Sequence, residues 1–209
     1  MIYLAMNMAP PRSLATVRTL HRGFSLPLSI LIFVIGLSGC AAGPSASAPA
    51  RVASARHVFL VRHAERVWEG EDPPLTAEGE ARARALAAAL SDAGVSAIIS
   101  TQWHRTRDTA APLAKLLKLA PEIIPVYEGK ARENIEAVAA AVQRHSDETV
   151  LVVGHVTVTG VIAALGGPPI PTICENVFSD LFLYMPAAGE DGLLRLRYGA
   201  PEDISHRCK

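Results

Sequence analysis

His57-Val58-Phe59-Leu60-Val61-Arg62-His63-Ala64-Glu65 is the stretch that decides the fold. Four apolar residues, Val58 to Val61, run straight into an Arg–His pair. The run is short, β-branched and aromatic, so it reads as a buried strand. In an open α/β sheet, ligands sit beyond the carboxyl ends of the strands, which is where Arg62 and His63 fall. A cation beside an imidazole at the mouth of a sheet suits a phosphoryl group. Arginine forks onto the oxygens, and a neutral histidine nitrogen can attack phosphorus. Alone, the stretch reads equally as an exposed strand end with two polar residues.

Upstream, Arg12, Arg18 and Arg22 precede a mostly apolar run from Phe24 to Leu37. The pattern is a positive n-region followed by an h-region, too short and too interrupted by Ser25, Pro27 and Ser29 for a membrane-spanning helix. It ends Leu37-Ser38-Gly39-Cys40, which resembles the lipobox of bacterial lipoproteins. The resemblance implies residues 1–39 as a signal peptide, cleavage before Cys40 and lipidation of its thiol. Two or three acyl chains anchor a protein stably where one does not. Ala41, rather than an aspartate, follows the cysteine. The expectation is an exported chain, lipid-anchored in the cell envelope on the periplasmic side of an outer membrane. An ordinary signal peptide cut near Ala42 is the alternative. Residues 40–56 are mostly Ala, Ser, Pro and Gly and read as a flexible tether.

Downstream, residues 57–200 read as one domain, followed by a tail, 201–209; about 150 residues suffice for a sizeable core. Thr76 is a candidate N-cap for a helix running to about Ala93, with Ala77, Ala81, Leu86, Ala89 and Leu90 inward and Arg82 and Arg84 toward solvent. Val95 to Ser100 reads as a second strand. Ala110, Leu113, Ala114 and Leu117 mark a second helix, with Pro112 signalling a late start or a kink. Ile123 to Tyr127 is a third strand, placed near an edge by Pro125. Ile135, Val138, Ala139 and Val142 give a third helix. Thr149 to Val153 reads as a central parallel strand, and Val156 to Leu165 as a fourth helix. Two last strands, Leu181 to Met185 and Leu193 to Tyr198, flank a hairpin-like turn at Asp191-Gly192. Four alternations predict an α/β three-layer sandwich, a mostly parallel central sheet with helices on both faces.

Twenty basic and twenty acidic residues balance, so no basic surplus argues for nucleic acid. The three cysteines form no CxxC or zinc-like spacing. Cys174 and Cys208 could pair in an oxidising compartment. His57, His145 and His206 read as surface histidines. His104 and Asp108, at i and i+4, could grip a metal, but no third ligand is suggested. Trp103 could stack on a substrate or be partly buried, and Arg107 reads as a solvated helix residue or an outer rim contact.

The strand ends carry the chemistry. Strand one ends in Arg62-His63, strand two in Ser100 with Arg105 and Arg107 soon after, strand three in Tyr127-Glu128, strand four in Gly154-His155. All should meet at one rim. Two imidazoles, at least two guanidiniums and a carboxylate are what phosphoryl transfer through histidine requires.

These blocks resemble those of the histidine phosphatase superfamily, also called phosphoglycerate mutase-like. Leu60 to Glu65 is similar to its signature ending RHGE, with Ala64 in place of glycine. Ser100 to Ala110 resembles its second block, where an arginine stands four residues before Thr-Ala, which is Arg105. Val153-Gly154-His155 resembles the late Gly-His block. The resemblance implies the phosphoglycerate mutase-like fold, a phosphohistidine intermediate on His63, and phosphoryl binding by Arg62, Arg105 and His155, with no metal or cofactor. It implies Glu128 as the general acid, with Glu65, Asp72 and Glu133 open alternatives. Val156 after the late histidine makes the likeness to the acid-phosphatase and phytase branch weaker. The implied substrate is a phosphorylated small molecule or a phosphoprotein. A mutase, or an envelope binding module that kept the fold, are the competing readings. Specificity is expected in the loops 65–74 and 129–133.

Overall fold

The computed structural model describes residues 54–202. The signal segment, Cys40, His206 and Cys208 lie outside the described residues. The central strands are β1, His57–Arg62, and β4, Thr149–Gly154, which pair in parallel and are buried almost throughout. Outside β4 come β2, Ala97–Ser100, and the edge strand β3, Glu122–Ile123, both parallel. On the other flank β5, Asp180–Tyr184, and β6, Leu193–Arg197, run antiparallel. Among the described residues the sheet order is β3-β2-β4-β1-β5-β6.

Alternation along the strands divides the core. Val58, Leu60, Ile99, Val150 and Val152 point to a layer made by α3, Ala131–Arg144, and α4, Val158–Ala164. Phe59, Val61, Ile98, Leu151 and Val153 point to α1, Ala77–Leu90, and α2, His104–Leu117. The predicted three layers are therefore present, each sheet face burying every second residue.

Several local expectations need correction. Ala77, Ala81 and Ala89 are exposed, whereas Gly79, Arg82, Ala83, Leu86, Ala87 and Leu90 are buried. Arg82 does not face solvent: it is 4% exposed, with Nε and Nη2 on both oxygens of Glu65 and Nη1 on the carbonyls of Tyr198 and Ala200. Burying a guanidinium requires this pairing. Gly79 sits where the carbonyl of Glu65 packs against α1; a Cβ there would lie 2.0 Å from that oxygen. Thr76 does cap α1, accepting from the Gly79 N–H at 3.1 Å, an interaction of about 1 kcal/mol.

The strand expected over 123–127 ends at Ile123. Pro125 offers no N–H, and the next two residues are held by side-chain amides instead. Gln102 brackets the backbone of Val126 (2.6 and 3.0 Å), and Asn134 brackets that of Tyr127 (3.0 and 2.7 Å). Pro112 lies inside α2 without delaying its start. The β5–β6 link is a 3-10 segment, Pro186–Gly192, rather than a tight turn. Residues 54–56, read as tether, join the fold: Ala55 is buried, and Arg56 N–H donates to the Glu148 carbonyl at 2.7 Å. His57 and His145 are half-buried; His57 Nδ1 lies 3.4 Å from Thr149 Oγ1, and His145 sits between Glu122 and Glu148. Cys174 is disulfide-bonded, and the other two cysteines of the chain lie outside the described residues. No described helix is long and apolar enough to cross a membrane.

Candidate active site

Register places the two histidines. Arg62 of β1 pairs with Gly154 of β4, and the His63 N–H donates to the Gly154 carbonyl at 2.9 Å. His63 and His155 therefore leave adjacent strands one residue beyond the same rung. Their ring centroids are 5.2 Å apart and their planes 24° from parallel.

His63 is fully buried. Its Nδ1 lies 2.7 Å from the Ala64 carbonyl. A carbonyl only accepts, so Nδ1 carries the proton and Nε2 holds the lone pair. That Nε2 has no hydrogen-bond partner among the described residues. Burial, reinforced by Arg62, His155 and Arg105, pushes the imidazole pKa down to about 3. Burial, with Arg62 and Arg105, pushes that of His155 down to about 4. Both rings are neutral at neutral pH.

Arg62 is held from behind. Its Nη1 donates to the Cys174 carbonyl at 2.9 Å and reaches the Val177 carbonyl at 3.4 Å; its guanidinium carbon lies 4.6 Å from the Phe178 ring centroid. Burial lowers its pKa to about 10, which leaves it cationic. Arg105 projects from the first turn of α2, where the Asp72 carboxylate accepts from the His104 N–H at 2.9 Å and caps the helix. Its guanidinium stacks on Trp103 at 5.0 Å and stands 3.9 Å from Asp72. Arg62 Nε and Arg105 Nε are buried and, like His63 Nε2, lack partners among the described residues. A buried unpaired donor costs about 1–3 kcal/mol. Cationic donors and an imidazole lone pair collected at one rim suit a tetrahedral oxyanion.

Thr109 joins the two halves. Its hydroxyl accepts from the Ala64 N–H at 2.9 Å and donates to the Arg105 carbonyl at 2.7 Å. Sequence reasoning used Thr109 only to find Arg105; its own role needed the fold.

Of the candidate acids, Glu128 is exposed and lines the cavity beside His155 and Arg105. Glu65 is occupied by Arg82, and Asp72 by the α2 N-terminus. Glu133 lies in the first turn of α3 and does not line that cavity. Two charged groups were missed. Glu175 acts electrostatically on both Arg62 and His155, and Arg66 on Arg62, Arg105 and His155. Arg66 follows the Arg-His stretch directly, which was the available signal. Its guanidinium lies 4.9 Å from the exposed Trp68 ring. Arg107 is exposed, with Nη2 3.3 Å from His104 Nδ1. Among the described residues no group of three or more His, Cys, Asp or Glu is gathered as a metal site.

Residues 58–126 match the family model of the histidine phosphatase superfamily (branch 1). A stretch of 65 residues is 42% identical to the "Probable phosphoglycerate mutase GpmB" of Escherichia coli O1:K1 / APEC and of Shigella boydii serotype 18. It covers 28% of this chain and 30% of each relative, so the match spans less than a third of their length. The fold matches that of the protein histidine phosphatase SixA in its tungstate complex, with a TM-score of 0.51 and 20% identity, over 69% of this chain and 97% of that one.

Proposed function

We propose that this chain is a phosphatase that works through a phosphohistidine on His63. The observation that carries the reading is the state of His63: neutral, oriented by the Ala64 carbonyl, with a buried Nε2 lone pair free of protein partners among the described residues.

In the first step Nε2 attacks phosphorus. The N–P bond forms as the bond to the leaving oxygen breaks, and Glu128 delivers a proton to that oxygen. Arg62 and Arg105 hold the phosphoryl oxygens and spread their charge. Neutral His155 faces the same group and can donate from one ring nitrogen. In the second step water attacks phosphorus, gives its proton to the Glu128 carboxylate, and releases phosphate and free His63. The substrate class is a phosphomonoester or a phosphohistidine, as the structural likeness to the protein histidine phosphatase SixA supports. The likeness of one segment to a named mutase supports the second reading, transfer of phosphate back to a bound alcohol. The full chain, purified in detergent, should release phosphate from p-nitrophenyl phosphate, and His63→Ala should abolish it. Phosphate recovered on an acceptor alcohol instead of free in solution would favour the mutase.

We also propose that the chain is exported and anchored through lipidated Cys40. The signal-like pattern before Leu37-Ser38-Gly39-Cys40 supports this, as does a disulfide at Cys174, which suits an oxidising compartment. Metabolic labelling with a palmitate analogue, lost in Cys40→Ala, tests the anchor.

A further inference from the structure

Beside Arg105 and His155 a cavity of about 470 Å³ opens between the ends of β2 and β4 and the helices α3 and α4; Arg62 and His63 are not among its lining residues. Its apolar lining is Ile99, Val126, Val138, Val152, Val158 and Val161, and the hydroxyls of Ser100, Thr101, Thr106 and Thr157 and the Asn134 amide line it too. The expected specificity loops contribute only Glu71 from 65–74 and nothing from 129–133. The ends of β2 and β4, the helices α3 and α4 and the segment 126–128 after β3 form most of the lining instead.

Charge in the cavity is one-sided. Of the residues that line it, Arg105 is the single lysine or arginine, whereas Glu71 and Glu128 are both present. Lys130, 6.0 Å from the Tyr127 ring, does not line it. A second anionic group on the substrate would therefore meet the Glu71 carboxylate and no lysine or arginine other than Arg105, which is already on the phosphoryl group. Desolvating an unpaired carboxylate is strongly unfavourable. An uncharged hydrocarbon group gains by burial in the same place.

Resting on the phosphatase reading, we propose that this site selects phosphomonoesters whose leaving group is uncharged and largely apolar, about the size of an aromatic ring, and discriminates against esters that carry a second anion. Val126 is the specificity-determining position: it lines the cavity, and its backbone is fixed by the Gln102 amide independently of its side chain.

The test compares three substrates on the full chain. They are 2-phenylethyl phosphate, 3-phosphoglycerate and acetyl phosphate, the last too small to reach the valine wall. The first two are both alkyl esters, so intrinsic reactivity does not decide between them. The expected kcat/KM for 2-phenylethyl phosphate is at least tenfold that for 3-phosphoglycerate. Val126→Arg should cut that ratio at least tenfold while acetyl phosphate is still turned over. Val126→Thr, matched in shape, should raise KM for 2-phenylethyl phosphate alone, and it decides the matter if the arginine variant does not fold. A preference for 3-phosphoglycerate, or an unchanged ratio in variants that still use acetyl phosphate, overturns the proposal. Failure of the wild-type chain on all three substrates would instead overturn the phosphatase reading.

Discussion

The imidazoles of His63 and His155 are stacked 5.2 Å apart between centroids, one residue beyond the paired ends of β1 and β4. Two buried rings this close to two guanidiniums resist protonation. Their pKa values, about 3 and about 4, lie below the unfolded value of 6.5. Well above pH 6.5 neither state binds protons at these rings, and they contribute no pH dependence. Below it the unfolded chain takes up protons that the folded chain refuses, so stability falls with pH until about 4 for His155 and about 3 for His63. Each ring contributes a slope of up to about 1.4 kcal/mol per pH unit. Urea midpoints measured from pH 7 to pH 5 should fall, and His155→Gln should flatten the dependence. An unchanged slope in that variant would contradict the burial argument.

The buried Arg82–Glu65 pair predicts a contrast between two arginines on one helix. Arg82→Ala strands Glu65 and frees the carbonyls of Tyr198 and Ala200; it should cost about 3 kcal/mol or more. Arg84, exposed and 3.7 Å from Glu80, should cost less than about 0.5 kcal/mol when changed to alanine. Chemical denaturation of the two variants, side by side, checks the difference.

Thr109 predicts a loss that a hydroxyl restores. Thr109→Val leaves the buried Ala64 N–H without its acceptor, at about 1–3 kcal/mol. It also frees the His63-Ala64 loop from α2. Stability should drop, and kcat/KM for p-nitrophenyl phosphate should fall roughly tenfold or more, since 1.4 kcal/mol of lost positioning is a factor of ten. Thr109→Ser should recover most of both. Equal activity in the valine and serine variants would show that the bridge does not position His63.

The sequence made the middle of the molecule legible because its strands are short, apolar and end in chemistry. Val58 to Val61 and Thr149 to Val153 could be read as central strands, and the residues after them as a rim, with no knowledge of pairing. The face of α1 was not legible. In a helix built largely of Ala, Glu and Arg, apolar periodicity carries little contrast, so the inward position of Arg82 depended on a partner, Glu65, seventeen residues earlier. The end of β3 was misplaced because Val126 and Tyr127 are fixed by the amides of Gln102 and Asn134, which substitute for a neighbouring strand. Glu175 lay in a loop with no preceding strand, and only the folded chain brings it toward Arg62 and His155.

The central claim is that His63 Nε2 becomes covalently bonded to phosphorus, and trapping that bond tests it most directly. The full chain mixed with phosphoryl-labelled substrate and quenched within milliseconds in alkali should carry label on His63, stable to alkali and lost in acid. His63→Ala should carry none and should not turn over substrate. Label on another residue, or undiminished hydrolysis by His63→Ala, would contradict the account.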